Sequence, residues 1–497
     1  MTARRDDFAE QVDYLDRLGP RPTSNDAHRT LVDDVAKRLA ALGLTVNRDP
    51  HRFTRWDAPR DDAHLNLTVG GRPVPISSAY PYSGTTGRVG VTGRLHPIRG
   101  GLRKNWAAAA GGVAVVQVRH FPFPYDLWVS EWDGPAARDE FDNPVLSATL
   151  NGPNLAAARK AGVTAVIAVW KGLPDSVAAG QYLPFTNGYH DLPAVWVAER
   201  DGQDLLGAAR AGAEAHLVLD AAVIPFSESD TVWAVSEGES TEETILIVTH
   251  SDGTNSVEEN GHIGLLELAR QATAARHRRT MVFVLTTGHL RIPAVAQHGQ
   301  ATSAWFDAHP DLWAGRPGQA RAVAGLVIEH LGARHYATDP VTNAYSPTGR
   351  AEPELLYATT PETAAIARRD WNTSTPAQTH VSKPSPLIHL GEGETLYERR
   401  IPAVALVTAP EYLLAELDGP LVDVDLLERQ VDGFARLLRT LDSAADPAQL
   451  GTVTLPSTAR KTLSRLRALG ILARRSRDHR RRRRTADRQR PGTTTTP

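Results

Sequence analysis

The second half of the chain alternates between short apolar runs and stretches with helical periodicity. The apolar runs are bounded by turn-forming residues and have the length of strands, which predicts buried strands at TILIVTH (244–250), MVFVLTT (281–287), AGLVIEH (324–330) and IPAVALVT (401–408). Apolar residues recur at helical spacing over 261–275, 361–371 and 421–443. Because strands without polar alternation are buried on both faces, we expect an α/β fold with a mostly parallel, doubly wound sheet.

A different pattern precedes this region. Residues 6–17 and 24–42 predict two helices, the second with Ser24 as its N-cap. From about residue 65 to 223, short β runs are separated by glycine turns, which predicts a compact β-rich module. The predicted segments are the N-terminal helices in 1–62, the β-rich module in 63–225, the α/β core in 226–445 and a basic, disordered tail in 446–497. The module contains no catalytic set of residues, which favours a lid or an interaction domain.

The formal net charge of −2 conceals a strongly basic tail. Residues 460–490 contain 14 Lys or Arg against two Asp, so this segment carries about +12 and the rest of the chain about −14. Leucines recur at a spacing of three within 456–472, which predicts a basic helix, whereas the arginine run at 479–484 predicts disorder. No aromatic residues interleave with the arginines, so we expect only weak electrostatic contact with polyanions such as nucleic acids or anionic surfaces.

The composition narrows the chemistry that is available. An apolar content of 41% and a charged content of 23% are typical of a soluble globular protein. No apolar run approaches the roughly 18 residues of a membrane span, and the N-terminus lacks the apolar region of a signal peptide, so we expect a cytoplasmic protein without a transmembrane segment. The absence of cysteine excludes disulfides, thiolate ligands and a cysteine nucleophile. Any metal site must therefore use His, Asp and Glu.

Polar residues follow each buried strand at its carboxyl end. They are His250 and Asp252 after the first strand, His289 after the second, Glu329 and His330 at the end of the third, and Glu392 and Glu394 in the loop before the last. The carboxyl ends of parallel strands meet at one edge of a sheet, so we expect these groups to converge on one crevice. Imidazole and carboxylate ligands without a thiolate suit a divalent ion such as zinc.

Several segments in the same order resemble a known family. They are LGPRPTS (18–24) with the following helix, TILIVTHSDG with NGHIGLLELAR, MVFVLTTGHL, AGLVIEHLG and RRIPAVALV. Over most of residues 15–445 the chain resembles the co-catalytic zinc aminopeptidases that carry an inserted protease-associated domain. Relatives of these enzymes include leucyl-type aminopeptidases, glutaminyl cyclases and carboxypeptidase-like glutamate peptidases. The resemblance implies that residues 63–225 form the insert in a peptidase-like domain.

The resemblance carries over only part of the family's metal site. His250 falls on the first metal-binding histidine, Asp252 on the carboxylate that orients it, and Glu329 on a metal-binding aspartate. The other positions are filled by residues that differ from the family: Val257 at the bridging aspartate, His289 and Leu290 at the paired glutamates, and Gly393 near the final histidine. Valine, leucine and glycine have no ligating side chain. A two-metal site of the family's design is therefore not encoded.

Two functions remain open on the sequence alone. One is an aminopeptidase-like hydrolase with an eroded or rebuilt site for at most one zinc ion, acting on a peptide or small amide. Its ligands would be His250, Glu329 and Glu258 (or Glu259), with His289 as general base and Asp252 orienting the site; Glu392, Glu394 and His389 could replace the missing histidine. His330 and His335 are expected at the surface or behind the ligands. The other function is a non-catalytic homologue that binds a peptide or protein partner.

Overall fold

The described strands assemble into two large sheets and two small ones. A computed structural model describes residues 2–99, 104–125, 129–132, 140–185, 188–290, 300–339, 341–342, 344–371 and 379–470. The arginine run at 479–484 and the rest of the chain after residue 470 lie outside these ranges. No helix in the described ranges is long and apolar enough to cross a membrane.

The larger sheet has nine strands and holds the predicted core. In spatial order they are β1 (Val46–Asp57), β13 (Ala222–Ser236), β15 (Arg279–Thr286), β14 (Ser240–His250), β16 (Arg321–Val327), β21 (Ala403–Val407), β19 (Glu354–Ala358), β20 (Thr379–Pro384) and β8 (Val129–Glu131). The central four, from β15 to β21, are parallel, while β1, β13 and β8 pair antiparallel at the margins and β19 runs antiparallel to β21. The four buried strands predicted from the sequence are these central four.

Both faces of the larger sheet are buried, which explains the continuous apolar runs. Ile245 and Ile247 of β14 belong to the cluster that includes helices α1 (Thr2–Leu18), α2 (Asp26–Ala41), α7 (Gly261–Ala274), α9 (Pro361–Asp370) and α11 (Val424–Ser443). Leu246 and Val248 belong to the opposite cluster, with α8 (Ala301–Ala308) and α10 (Gly393–Glu398). Helices on both sides of a sheet with a parallel centre confirm the predicted α/β class.

The second sheet has eight strands, all from the segment 63–225. In spatial order they are β3 (Arg72–Pro73), β2 (Leu65–Val69), β12 (Glu214–Leu219), β5 (Gly87–Ile98), β6 (Val113–Arg119), β10 (Ala165–Lys171), β11 (Ala194–Val197) and β4 (Ser78–Ala79). The same segment contains α3 (Val145–Asn151), α4 (Leu155–Lys160), α5 (Asp175–Ala178) and α6 (Glu199–Arg210). It also supplies β8 to the larger sheet, so the segment, called the insert below, is joined to the core through an edge strand.

The remaining elements are short. Two hairpin-like pairs join β7 (Phe123–Pro124) with β9 (Glu140–Phe141) and β17 (Arg334–Thr338) with β18 (Tyr345–Ala351). Single 3₁₀ turns lie at Trp106–Ala109, Pro310–Leu312 and Pro447–Leu450, and residues 458–470 are helical.

The N-cap of α2 differs from the prediction. Asn25, not Ser24, caps the helix, because its side chain accepts a hydrogen bond from the backbone N–H of His28 at 2.7 Å. Ser24 has a positive φ of 68° and donates its hydroxyl to the carbonyl of Glu228. The turn before the helix therefore ends one residue later than the residue type alone indicates.

Helix α7 starts in close contact with the strand ends. A Cβ on Gly261 would overlap the carbonyl oxygen of Ile328 and the hydroxyl of Thr249. We expect Gly261→Ala to destabilise the fold by about 1–3 kcal/mol, because backbone would have to move. Gly207→Ala is the matched control, since Gly207 lies in α6 with no atom near its Cβ position and should gain about 0.5–1 kcal/mol. Chemical and thermal unfolding would measure both; a neutral Gly261→Ala would show that the helix tolerates displacement.

Candidate metal centre

Three adjacent parallel strands deliver the candidate ligands to one place. β14 ends at His250, the loop after β15 carries His289, and the loop after β16 carries Glu329 and His330. Two groups of three side chains form there, His250 with Glu329 and His330, and His250 with Glu258 and His289. Within each group the ligand atoms lie within 4.8 Å of one another. His250 belongs to both groups and joins them.

His250 presents an unprotonated nitrogen to this space. Its Nδ1 lies 3.1 Å from the backbone carbonyl oxygen of Asp252, and a carbonyl can only accept, so Nδ1 carries the proton. The lone pair is therefore on Nε2, which is buried and has no hydrogen-bond partner among the described residues. Burial lowers the pKa of His250 well below its usual value and keeps the ring neutral, and the charge of His289 adds to this effect. A neutral imidazole fixed through its other nitrogen is a typical metal ligand.

Glu329 has one satisfied and one free oxygen. Its Oε1 accepts the backbone N–H of Glu392 at 2.6 Å, while its Oε2 has no hydrogen-bond partner in the described part of the chain. The carboxylate of Glu329 can come this close to the backbone because residue 391 is a glycine. Its φ is +73°, and a Cβ there would lie 2.9 Å from Oε1 of Glu329 and closer still to Oε2. Burial raises the pKa of Glu329 to about 8, with the charge of Glu392 acting in the same direction.

His330 completes this group, and its position was not expected. It is only 4% exposed, and its Nε2 lies 4.0 Å from Oε2 of Glu329. Neither ring nitrogen meets hydrogen-bond geometry with a described residue. Burial lowers the pKa of His330 to about 3, and a weak interaction with the backbone of Thr408 opposes this in part. A positive φ of 56° turns this residue back under the strand ends. Of the two locations expected for His330, the surface is wrong, since the ring is buried, and the location behind the ligands stays a prediction. The bend that buries the ring has no signal in the sequence beyond adjacency to Glu329.

The first group fits a divalent cation. Two imidazole nitrogens and one carboxylate oxygen, all buried and without partners among the described residues, face a common space. Leaving such groups unpaired costs about 1–3 kcal/mol each. A cation would satisfy all three and favour the ionised form of Glu329. The donor set of two nitrogens and one oxygen suits zinc.

In the second group, His289 already has carboxylate partners. His289 Nδ1 lies 2.6 Å from Oε1 of Glu392, and its Nε2 lies 3.6 Å from Oε1 of Glu258. Burial lowers the pKa of His289, but the hydrogen bond and charge of Glu392 outweigh it, with Glu258 adding to them, and raise the pKa to about 9. The charged ring stacks on His250 with 3.9 Å between centroids. His289 is therefore an imidazolium that lies between the carboxyl groups of Glu392 and Glu258.

Glu392 is held in place by other contacts. Besides His289, it accepts the hydroxyl and the backbone N–H of Thr302. Burial by itself would raise the pKa of Glu392, but these hydrogen bonds lower it below its usual value. It is the residue that keeps His289 protonated.

Asp252 acts on the backbone and not on a ring. Its carboxylate accepts the backbone N–H groups of His289 at 3.1 Å and Leu290 at 2.9 Å, and the hydroxyl of Thr23 at 2.6 Å. The contact with His250 comes instead from its carbonyl oxygen. Asp252 therefore fixes the loop that carries His289.

Arg21 explains why the LGPRPTS segment lies beside the centre. Its guanidinium binds the carboxylate of Glu259, with Nε 2.8 Å from Oε1, and the carbonyls of Leu15 and Asn255. Both charged side chains are completely buried. Burial raises the pKa of Glu259 to about 7 although Arg21 opposes this. Glu259, the alternative third ligand in the sequence hypothesis, is engaged by Arg21 and is absent from both ligand groups.

The remaining sequence candidates lie around the centre. Val257 and Leu290 are fully buried in the apolar cluster. The Cβ position of Gly393 is filled by the ring of His389, which is 2.6 Å away, and His389 itself donates to the carbonyl of Leu390 and packs on Tyr357. Glu394 accepts a hydrogen bond from Gln300. Of the three replacements considered for the missing histidine, only Glu392 reaches the ligand groups.

The insert borders the centre. The ring of Phe185 stacks on His289 with 5.7 Å between centroids, and the hydroxyl of Tyr82 donates to the carbonyl of Leu290 at 2.9 Å. The side chain of His289 is 11% exposed, against 1% for that of Glu258 and 0% for that of Glu329. His289 is therefore the most exposed of these three side chains.

A third group of potential metal ligands lies where the insert contacts the core, but its members already bind one another and their neighbours. His120 Nε2 lies 2.6 Å from the carboxylate of Asp142, its Nδ1 lies 3.2 Å from the hydroxyl of Ser147, and Glu411 completes the group. It lacks the unpartnered atoms that distinguish the first group.

Comparison with known proteins supports the fold. No protein-family model matches the chain, and no curated protein does. Among solved structures, the zinc aminopeptidase BSAP from Bacillus subtilis is 14% identical with a TM-score of 0.61, covering 90% of this chain and 97% of its own. A peptidase M28 precursor from Shewanella amazonensis is 15% identical with a TM-score of 0.58, covering 91% and 98%. An aminopeptidase from Aneurinibacillus sp. strain AM-1 is 15% identical with a TM-score of 0.53, covering 88% and 92%. The chain therefore has the fold of zinc aminopeptidases.

The Arg21–Glu259 pair should be essential for stability. We expect Arg21→Met to cost about 3–5 kcal/mol, because it leaves a buried carboxylate without its counter-charge. The double variant Arg21→Met with Glu259→Leu should recover part of the loss. Arg52→Ala is the control, because its ion pair with Glu228 is exposed and worth at most about 1 kcal/mol. Equal effects of Arg21→Met and Arg52→Ala on chemical unfolding would contradict the assignment.

Proposed function

We propose that the protein is a metal-dependent hydrolase of peptide or amide bonds that holds one zinc ion between His250, Glu329 and His330. The observation that carries this proposal is the group of three buried side chains with unpartnered ligand atoms within 4.8 Å. Unlike the sequence hypothesis, the proposal gives the third ligand position to His330. Glu258 already accepts the backbone N–H of Thr254 and faces the charged His289.

A zinc ion with three protein ligands supplies Lewis acidity and lowers the pKa of water. The neighbouring residues supply proton transfer. With a pKa of about 9, His289 is protonated at neutral pH, which suits it to stabilise negative charge and to donate a proton to a leaving amine nitrogen. This replaces the sequence-based role of His289 as a base.

Glu258 is the proposed base. Its carboxylate lies 3.6 Å from Nε2 of His289. It also shares a ligand group with His250 and so lies next to the proposed metal ligands. Burial raises the pKa of Glu258, so its ionised carboxylate is a stronger base than an exposed one. Its role is to accept the proton of the attacking water. Asp252 and Glu392 are positioning residues, because they act through the His289 loop and ring.

The competing function is a non-catalytic homologue that binds a peptide or protein partner. It is favoured by the burial of the ligands and by the apolar packing of Val257 and Leu290, where the resembling family has ligands. Such a protein would need no metal, so metal content and hydrolysis together separate the two functions.

The metal proposal is tested by elemental analysis of protein purified without chelator. We expect about one zinc ion per chain, lost in His250→Ala, Glu329→Gln and His330→Ala. His289→Ala should retain the ion. His335→Ala is the control, because this half-buried histidine bonds Thr348 away from the site. Metal-free wild-type protein would refute the proposal, and retention in His330→Ala with loss in His289→Ala would transfer the ion to the second group.

The proton-transfer roles are tested on chromogenic aminoacyl amides. We expect slow, chelator-sensitive hydrolysis, and a loss of about 10²–10⁴-fold in kcat for Glu258→Gln and His289→Ala with zinc content unchanged. Metal-loaded wild-type protein without hydrolysis of peptide or amide substrates would favour the binding function. Unchanged kcat in both variants would remove these residues from the chemistry.

A further inference from the structure

We propose that the helix at residues 458–470 is a binding element for anionic lipid membranes. The globular part ends just before it, with Leu450 and Val453 buried and the hydroxyl of Tyr397 bonded to the carbonyl of Thr454 at 3.5 Å. After that point none of the residues 458–470 is buried. The helix is attached to the protein at its start, and its residues are exposed or partly exposed.

The helix separates apolar from basic residues. Leu463, Leu466 and Leu469 are 68%, 61% and 63% exposed, and a period of 3.6 residues places them within an arc of about 120°. The four basic residues of the helix lie outside this arc and are Arg460, Lys461, Arg465 and Arg467. The segment 458–470 contains no acidic residue. An apolar stripe flanked by arginine and lysine is typical of helices that lie in a membrane interface.

The charge of the helix indicates which kind of surface it binds. The helix carries a net charge of about +4, and ten further Lys or Arg follow it before residue 491 against two Asp. Each basic residue close to an anionic bilayer strengthens binding roughly fivefold. Nucleic acids would also attract this charge, but phosphate contacts make no use of exposed leucines. The two features together fit an anionic lipid headgroup layer over an apolar interior.

The first experiment is flotation of the full chain with vesicles of phosphatidylcholine alone or mixed with phosphatidylglycerol. We expect binding to the mixed vesicles only. Replacing the leucines by Leu463→Ser, Leu466→Ser and Leu469→Ser should weaken it on the order of tenfold or more at unchanged charge. Neutralising the helix by Arg460→Gln, Lys461→Gln, Arg465→Gln and Arg467→Gln should also weaken it.

Two controls keep the result specific. Val341→Ser removes an apolar side chain that is 90% exposed elsewhere, and it should leave flotation unchanged. Binding to heparin should survive the leucine substitutions, because it depends on charge alone. All substituted positions are exposed, so unfolding midpoints should stay within error of the wild type. Flotation that survives the leucine substitutions, that occurs equally on neutral vesicles, or that is absent in the wild type would overturn the proposal.

The absence of cysteine allows a second, site-specific measurement. An environment-sensitive fluorophore on Leu466→Cys should shift to the blue when mixed vesicles are added. The same label on Ser464→Cys, on the opposite side of the helix, should remain in a polar environment. Equal responses at the two positions would show that the helix does not lie with its leucines in the bilayer.

Discussion

Burial of ionisable groups is the constraint on which this structure depends. Between the ends of β14, β15 and β16 the chain places five carboxylates, three histidines and an arginine where water has little access. Each charge in such a place requires a partner. Glu259 has Arg21, Glu392 has His289, and Asp252 has two backbone amides and Thr23. Among the three ligand groups found in the described part of the chain, the group of His250, Glu329 and His330 is the one with unpartnered atoms on all of its members.

Much of the fold could be predicted from the sequence because its signals are local. The four central strands are apolar on both faces, and α7 and α11 show clear helical periodicity. In each case the sequence pattern matches the burial seen in the structure. The order of the strands and their polar ends then places the candidate residues near one another. The resemblance to zinc aminopeptidases, carried by a few short segments, agrees with the fold found by comparison.

The location of the site could be predicted from the sequence, but the arrangement of its side chains could not. The ring of His330 is brought in by a left-handed backbone residue, and Glu329 is reached because Gly391 leaves space. Asp252 bonds backbone amides of a loop 37 positions away, which no spacing rule anticipates. Glu258 and Glu259 are neighbours in the chain, yet one faces His289 and the other Arg21. Such differences arise from loop geometry, where a change in one backbone dihedral redirects a side chain.

The edge strand β8 joins the insert to the core sheet. It lies within the insert but pairs with β20 of the larger sheet. Removing the insert would leave β20 as an open edge, and exposed strand edges promote aggregation. The segment 63–225 is thus part of the core sheet's margin as well as a module of its own, and a chain shortened by these residues would need another way to cover β20.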